Sequence, residues 1–170
     1  GLKLQKMAPF KVIPAEEILT PHGEIMGMFL RESIPSGISV QEAVKRIREQ
    51  DGLVCIPHPF DIITRVGLGR DIMEQIVRDI DIIEVFNARS LFPRRSSLSR
   101  SFADTYNLAK SAGSDAHTIS EIGRTYVEMP DFDGKADFLD ALRKGKIHGR
   151  MASPLVHMGS VTARIRRLFR

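Results

Sequence analysis

The hydrophobic positions of this chain fall into short apolar stretches that are separated by amphipathic segments. Four of these stretches are rich in β-branched or small residues and end in polar residues, Gly or Pro, as buried strands do. They cover residues 11–19, 52–59, 80–87 and 108–115. Residues 23–32 and 124–129 predict two further strands, the first of which returns from the turn Pro21-His22-Gly23.

Helical periodicity fills the gaps between these strands. The predicted helices cover residues 40–50, 71–78, 99–109 and 135–144. Ser39, followed three residues later by Glu42, predicts an N-cap with a capping box, and Gly145 predicts the end of the last helix. The order β-β-α-β-α-β-α-β-β-α predicts an α/β fold with a largely parallel sheet and crossover helices.

Composition narrows the class of protein. A chain of 170 residues with 42% hydrophobic and 27% charged residues suits one globular domain with its own core. The single cysteine, Cys55, excludes an internal disulfide and a cysteine-based zinc finger. No apolar run approaches the roughly 20 residues that span a bilayer, and the N-terminal segment is too polar for a secretory signal. We therefore expect a cytoplasmic protein that binds no membrane.

The positive charge of the chain is unevenly distributed. The net charge is +4, and much of it comes from residues 89–100 and 164–170. Such segments attract phosphate or nucleic acid, or else form a solvated loop and a solvated helix end. The sequence contains no RNA-recognition aromatic pair, helix-turn-helix pattern or zinc-finger spacing that would identify a dedicated nucleic-acid reader.

Side chains that ligate metals recur near the predicted strand ends. Asp115 and His117 lie in the run GSDAH. The successive separations along the chain are 41, 26 and 31 positions for the series Glu17, His58, Glu84 and Asp115. A βαβ step takes roughly 30 residues, so these side chains are expected to converge on one face of a sheet or barrel. Carboxylates and imidazoles are ligands of zinc, manganese and iron. The sequence thus predicts a metal site.

Structural readings stay open for several of these residues. His58 would cap a strand, Glu17 would pair with a lysine at the surface, and Glu84 would accept a hydrogen bond from a neighbouring loop. Asp115 would cap the helix that follows it, since Asp is a good N-cap. That role is compatible with metal ligation.

Several of these segments resemble the PHP superfamily, named for polymerase and histidinol phosphatase. They are IPHPFD (56–61), IEVFNAR (83–89), AGSDAHTISEIGRTY (112–126) and, for the family's preceding segment, residues 12–30. Residues 135–157 resemble the short extension that follows the PHP domain in some members. The resemblance implies an incomplete, distorted (β/α)7 barrel over residues 1–134 that lacks the first two βα units. The C-terminal helix and the extension would cover residues 135–170.

The resemblance also implies roles for individual residues. Glu17 corresponds to the carboxylate that bridges two metals, and His58 to the ligand of the family's His-Pro motif. Asp115 and His117 correspond to ligands of different metals, while Glu84, or Asn87 near it, occupies the place of a further ligand. The family's opening His-x-His and Thr-Asp-His motifs have no counterpart in this sequence. A fragment, a late start and a true variant would each account for that difference.

The leading hypothesis is therefore a metal-dependent phosphoesterase that uses divalent Zn, Mn or Fe ions. Its substrates would be phosphomonoesters, nucleotides or short oligonucleotides, and its activity would be weakened by the missing motifs. Arg89, Arg94 and Arg95 are predicted to contact the substrate phosphate, or else to belong to a surface loop. The alternative is a non-catalytic PHP-like module that binds a partner or nucleic acid through its basic segments. An open barrel edge also predicts a homo-oligomer.

Overall fold

A computed structural model describes residues 2–61, 66–90 and 93–151. The strands are β1 Ala15–Thr20, β2 Gly23–Met28, β3 Leu53–Ile56, β4 Ile82–Asn87, β5 Ala109–Gly113, β6 Thr125–Glu128 and β7 Lys146–Gly149. The helices are α1 Leu2–Gln5, α2 Val40–Glu49, α3 Gly69–Gln75, α4 Pro93–Thr105 and α5 Lys135–Arg143, with 3-10 helices at Val77–Asp79 and Ile119–Glu121. The predicted order of strands and helices is confirmed from β1 to α5, whereas α1 and β7 were not predicted.

The first five strands form one mixed sheet in the order β1-β2-β3-β4-β5. Strands β3, β4 and β5 are parallel, and α3 and α4 form their crossover connections, as predicted. The β1–β2 pair is antiparallel because a tight turn joins the two strands as a hairpin, and β2 also pairs antiparallel with β3, which follows it after helix α2. Strands β6 and β7 form a separate antiparallel sheet. No ladder among the described strands closes a barrel, so the (β/α)7 barrel stays a prediction.

Hydrophobic residues pack on both faces of the main sheet. Helix α2 contributes Val40, Ala43, Val44 and Ile47 to a cluster on one face, together with residues of α3 and α4. The Ser39 side chain caps this helix by accepting a hydrogen bond from the Glu42 N–H over 3.1 Å, which confirms the predicted N-cap. Parallel strands that are covered by helices on both faces have continuous runs of apolar residues. Strand β3 fits this rule, because all of its residues are buried.

Helix α5 covers the opposite face of the sheet. Its Phe138 and Leu142 share a hydrophobic cluster with Leu53, Cys55 and Ile82 of β3 and β4. Helix α5 therefore packs on the main sheet itself, and a domain boundary at residue 134 stays a prediction. Residues 152–170 lie outside the described part of the chain. Within that part, no helix is long and apolar enough to cross a membrane.

Candidate metal centre

The β1–β2 hairpin carries two carboxylates on one face. Thr20 closes the turn, since its hydroxyl donates to the Gly23 carbonyl oxygen over 2.6 Å, and Gly23 has a φ of 134°, a region that favours glycine. The register pairs Glu24 with Leu19, two residues after Glu17. Side chains alternate along a strand and directly paired residues share a face. Glu17 and Glu24 therefore lie on the same side of the hairpin.

His58 reaches this face from the end of β3. It lies between Pro57 and Pro59, two residues past the strand, and has a φ of 29°. Positive φ at a non-glycine residue costs about 1–3 kcal/mol and clusters at functional sites, where the surrounding structure imposes it. The His58 N–H donates to Glu84 Oε2 over 2.7 Å. This bond from the neighbouring strand β4 holds the His58 backbone in place.

Three side chains with ligand atoms meet in front of the hairpin: Glu17, Glu24 and His58. His58 Nε2 lies 3.2 Å from Glu24 Oε2 and 3.9 Å from Glu17 Oε1, and the ligand atoms all lie within 4.8 Å of one another. Zinc ligands lie about 2.0–2.2 Å from the ion, so two ligands of a tetrahedral ion are about 3.4 Å apart. The observed spacing and donor set fit a divalent cation. No other such group occurs in residues 2–61, 66–90 and 93–151.

The proximity of these groups also sets their charge. Burial disfavours a charged imidazole at His58, but a hydrogen bond to Glu24 and the charges of Glu84 and Glu17 outweigh it and raise the pKa of His58 to about 8. Burial, followed by the charge of Glu24, raises the pKa of the Glu17 carboxyl. His58 Nδ1 is buried without a hydrogen-bond partner among the described residues. The imidazole is therefore held through Nε2, where a proton or a cation fits between it and the carboxylates.

A second polar cluster extends from Glu84 within β4 to the loop that follows β5. Glu84 Oε2, which accepts from His58, also accepts from Asn87 Nδ2 over 3.0 Å, and the same Asn87 amide donates to Asp115 Oδ2 over 3.4 Å. Burial raises the pKa of the Glu84 carboxyl. Gly113 makes room for this carboxylate, because a Cβ at that position would lie against Glu84 Oε1. Hydrogen bonds within the protein thus orient Glu84, as one of the structural readings predicted.

The loop that follows β5 carries Asp115 and His117. Asp115 has a φ of 47°, so it is a second candidate ligand at positive φ. His117 Nδ1 lies 2.9 Å from the Asp115 carbonyl oxygen, which can only accept, so Nδ1 carries the proton and Nε2 is the free nitrogen of the neutral ring. The His117 side chain is 51% exposed. The charge of Asp115 raises the pKa of Glu17 and that of His117 lowers it, which couples this loop to the hairpin site.

Two of the three arginines predicted to contact phosphate instead contact carboxylates. Arg89 Nη1 donates to Glu121 Oε1 over 2.7 Å, and both side chains are buried. Arg95 Nη1 donates to Asp61 Oδ1 over 2.8 Å. Arg94 is exposed. Contact between these arginines and a substrate phosphate stays a prediction.

The structure brings some of the predicted site residues together and adds others. Glu17 and His58 meet, but Glu17 and Glu84 lie within β1 and β4 rather than at strand ends. Glu24 was not predicted, although a tight turn at 21–22 fixes the hairpin register and would have placed it beside Glu17. Glu121 was also missed; its signal is the T-x-x-E capping box that it forms with Thr118.

Sequence comparison relates this chain to one family and to two archaeal proteins. Residues 93–147 match the family PHP_C, described as PHP-associated. The uncharacterized protein MJ0417 of Methanocaldococcus jannaschii is 38% identical over 143 residues, which cover 77% of this chain and 60% of that protein. The uncharacterized protein MJ1587 of the same organism is 44% identical over 86 residues, covering 51% of this chain and 48% of its own length. The chain thus spans roughly half of the length of these relatives.

Two solved structures share the fold. The first is a two-domain protein of Bacteroides vulgatus that contains a predicted PHP-like metal-dependent phosphoesterase. It has a TM-score of 0.66 and 16% identity, and the match covers 88% of this chain and 48% of that one. The second is PsfC of Pseudomonas syringae, with a TM-score of 0.58 and 18% identity over 91% of this chain and 65% of that one. At these identities the likeness concerns the fold, and it agrees with the PHP-associated match. Over residues 93–147 this chain matches the PHP-associated family PHP_C, and it shares its fold with a protein that contains a predicted PHP-like metal-dependent phosphoesterase.

Proposed function

We propose that the protein is a metal-dependent phosphoesterase that hydrolyses phosphate esters, and that Glu17, Glu24 and His58 hold one of its cations. The observation that carries the proposal is the convergence of three ligand atoms within 4.8 Å. The strained backbone of His58 supports it, because positive φ clusters where a functional geometry is imposed. The Bacteroides vulgatus protein with this fold, which contains a predicted PHP-like metal-dependent phosphoesterase, supports the same chemistry.

Asp115, His117 and Glu84 are proposed as ligands of a further cation, which would draw their side chains together, because their ligand atoms do not meet within 4.8 Å as those of Glu17, Glu24 and His58 do. His117 offers Nε2, the free nitrogen of its ring, because Nδ1 is bound to the Asp115 carbonyl oxygen. The described bonds of Glu84 use Oε2, so Oε1 is the atom that it would offer. Glu17 is the carboxylate that we propose to be shared between the cations, since the charges of both clusters act on it.

The charge of the site explains why phosphate binding would require a cation. Glu17, Glu24, Glu84 and Asp115 surround the site with carboxylates, and like charges repel a phosphate ester. A bound divalent cation supplies Lewis acidity, lowers the pKa of a water molecule and neutralises charge that develops on the phosphoryl oxygens. The β1–β2 hairpin fixes the positions of the Glu17 and Glu24 carboxylates that would hold the cation.

The substrate class and the partners of the whole protein belong to this proposal. Phosphomonoesters, nucleotides and short oligonucleotides are the proposed substrates. The alternative of a nucleic-acid-binding module relies mainly on residues 164–170, which lie outside the described part of the chain. The predicted homo-oligomer has a candidate interface, because no described strand pairs with the outer edge of β1.

The proposal can be tested by metal analysis combined with a phosphatase assay. The protein is stripped with a chelator, reloaded with Mn²⁺ or Zn²⁺, and assayed on p-nitrophenyl phosphate and a dinucleotide. We expect Glu24→Gln and His58→Asn to lower both bound metal and turnover. Glu49→Gln is the matched control, since Glu49 lies on α2 and its side chain forms an exposed ion pair with Lys45 at 3.8 Å. Equal metal content and turnover in all four proteins would contradict the proposal.

A further inference from the structure

A fully buried carboxylate lies behind the loop that carries Asp115 and His117. Glu121 is 1% exposed. Its Oε1 accepts from Arg89 over 2.7 Å, and its Oε2 accepts from the His117 N–H over 3.1 Å, the Thr118 N–H over 2.8 Å and the Thr118 hydroxyl over 2.8 Å. Burial opposes ionisation of this group, but the hydrogen bonds and the charge of Arg89 outweigh it and lower the pKa of Glu121. Glu121 is therefore a carboxylate with several donors around it.

Capping the helix Ile119–Glu121 accounts for only part of this arrangement. The bonds between Glu121 and Thr118 form a capping box, which by itself satisfies the start of that helix. The bonds from His117 and Arg89 are additional. The buried Arg89 guanidinium comes from the segment after β4 rather than from the loop itself, so Glu121 ties two strand ends together.

Arg89 extends the network to the second polar cluster. Its backbone N–H donates to Asn87 Oδ1 over 2.8 Å, which fixes the orientation of the Asn87 amide. The other end of that amide donates to Glu84 over 3.0 Å and to Asp115 over 3.4 Å. Arg89 thus contacts both parts of the site: its backbone N–H bonds to Asn87 of the second polar cluster, and its guanidinium bonds to Glu121 behind the loop after β5.

We propose that Glu121, held by Arg89, is a positioning residue that fixes the backbone at His117. In this conformation the Asp115 carbonyl oxygen binds the proton on His117 Nδ1 and leaves Nε2 free as a ligand atom. Arg89 then acts through Glu121 rather than on a substrate phosphate. The consequence for metal binding rests on the proposed function, whereas the consequence for the His117 ring does not.

The ring of His117 reports this positioning directly. Long-range ¹H–¹⁵N correlation spectra of the metal-free protein at pH 8 distinguish the two tautomers of each histidine. We expect the wild-type His117 to be the Nδ1-protonated tautomer, and we expect Glu121→Gln and Arg89→Met to abolish this preference. In the metal-binding assay the same variants are expected to lose about 10–100-fold in Mn²⁺ affinity, which is typical when a group that orients a ligand is removed.

A matched control uses another pair of glutamate and histidine. Glu128 Oε2 lies 2.8 Å from His148 Nε2 on the β6–β7 sheet. Glu128→Gln is expected to move the His148 signals and to leave the His117 tautomer and the Mn²⁺ affinity unchanged. A purely structural role for Glu121 would lower the unfolding midpoint of Glu121→Gln but leave the His117 tautomer and the Mn²⁺ affinity of the folded protein at wild-type values. That result would overturn the proposal.

A measurement on the wild-type protein covers the case in which Glu121→Gln does not fold. Because the N–H groups of His117 and Thr118 donate to a buried carboxylate, we expect their amide hydrogens to be protected from exchange. Exchange at the rate of an unbonded loop would refute the positioning role. If the wild-type protein instead binds no Mn²⁺ while the tautomer and the protection are as expected, the proposed function fails and the positioning role stands.

Discussion

The charge of His58 couples the candidate metal centre to the stability of the metal-free fold. The His58 side chain is 11% exposed and lies 3.2 Å from Glu24, and its pKa is raised to about 8 from the ordinary value of 6.5. A pKa that is higher in the folded chain means that the folded state binds the proton more tightly. The stabilisation is therefore complete below pH 6.5 and is lost as the pH rises through 8.

The size of this effect follows from the two pKa values. One pH unit corresponds to about 1.4 kcal/mol, so the difference between 6.5 and about 8 corresponds to about 2 kcal/mol. The assay is urea unfolding of the chelated protein, followed by circular dichroism between pH 6 and pH 9. The control is His58→Asn, because Asn tolerates the positive φ of this position and does not titrate. We expect the wild-type advantage over this variant to shrink by about 2 kcal/mol across that range. A constant difference between the two proteins would refute the reasoning.

Three further predictions concern the scaffold around the site. Ser39→Ala removes the N-cap of α2 and is expected to lower the free energy of unfolding by about 1 kcal/mol; a urea titration that matches wild type would contradict the cap. Phe138→Ala removes a ring that packs edge-on against two other phenylalanines, at centroid distances of 5.3 and 5.0 Å, and should cost about 3–5 kcal/mol in the same assay. A loss well below that range would show that α5 is not part of the core. Gly113→Ala places a Cβ against the half-buried Glu84 carboxylate and should cost about 1–3 kcal/mol through overpacking, with weaker Mn²⁺ binding in a titration. Wild-type stability and Mn²⁺ affinity would disprove the close contact.

Local patterns in the sequence were sufficient to predict the order of the elements. The amphipathic face of α2 and its Ser39 cap follow from periodicity and from a side-chain hydrogen bond within four residues. The pairing of the strands is less local. The turn at Pro21 and His22 predicted a returning strand, but it was read together with the later β-α alternation as part of a largely parallel sheet. The antiparallel pairing of β2 with β3 depends on how α2 packs, which a one-dimensional pattern does not contain.

In the candidate site, too, local sequence patterns predicted some residues and missed those whose position depends on tertiary packing. Glu17, His58, Asp115 and His117 were singled out because their residue types and spacing suit metal ligation. Glu24 was missed because its place beside Glu17 depends on the register of the hairpin. Similarly, the approach of Arg89 to a buried carboxylate depends on how the segment after β4 packs against the loop after β5. The sequence therefore did not predict that the Arg89 guanidinium pairs with Glu121, and its contact with a substrate phosphate stays a prediction.

The most direct test of the central claim is an anomalous diffraction map from crystals grown with Mn²⁺. We expect a peak that lies within ligand distance of Glu17, Glu24 and His58 Nε2. The same map from Glu24→Gln crystals should show a weaker peak or none. A different result would contradict this claim: the wild-type map shows a fully occupied metal peak elsewhere and none at the hairpin, where His58 bonds directly to Glu24.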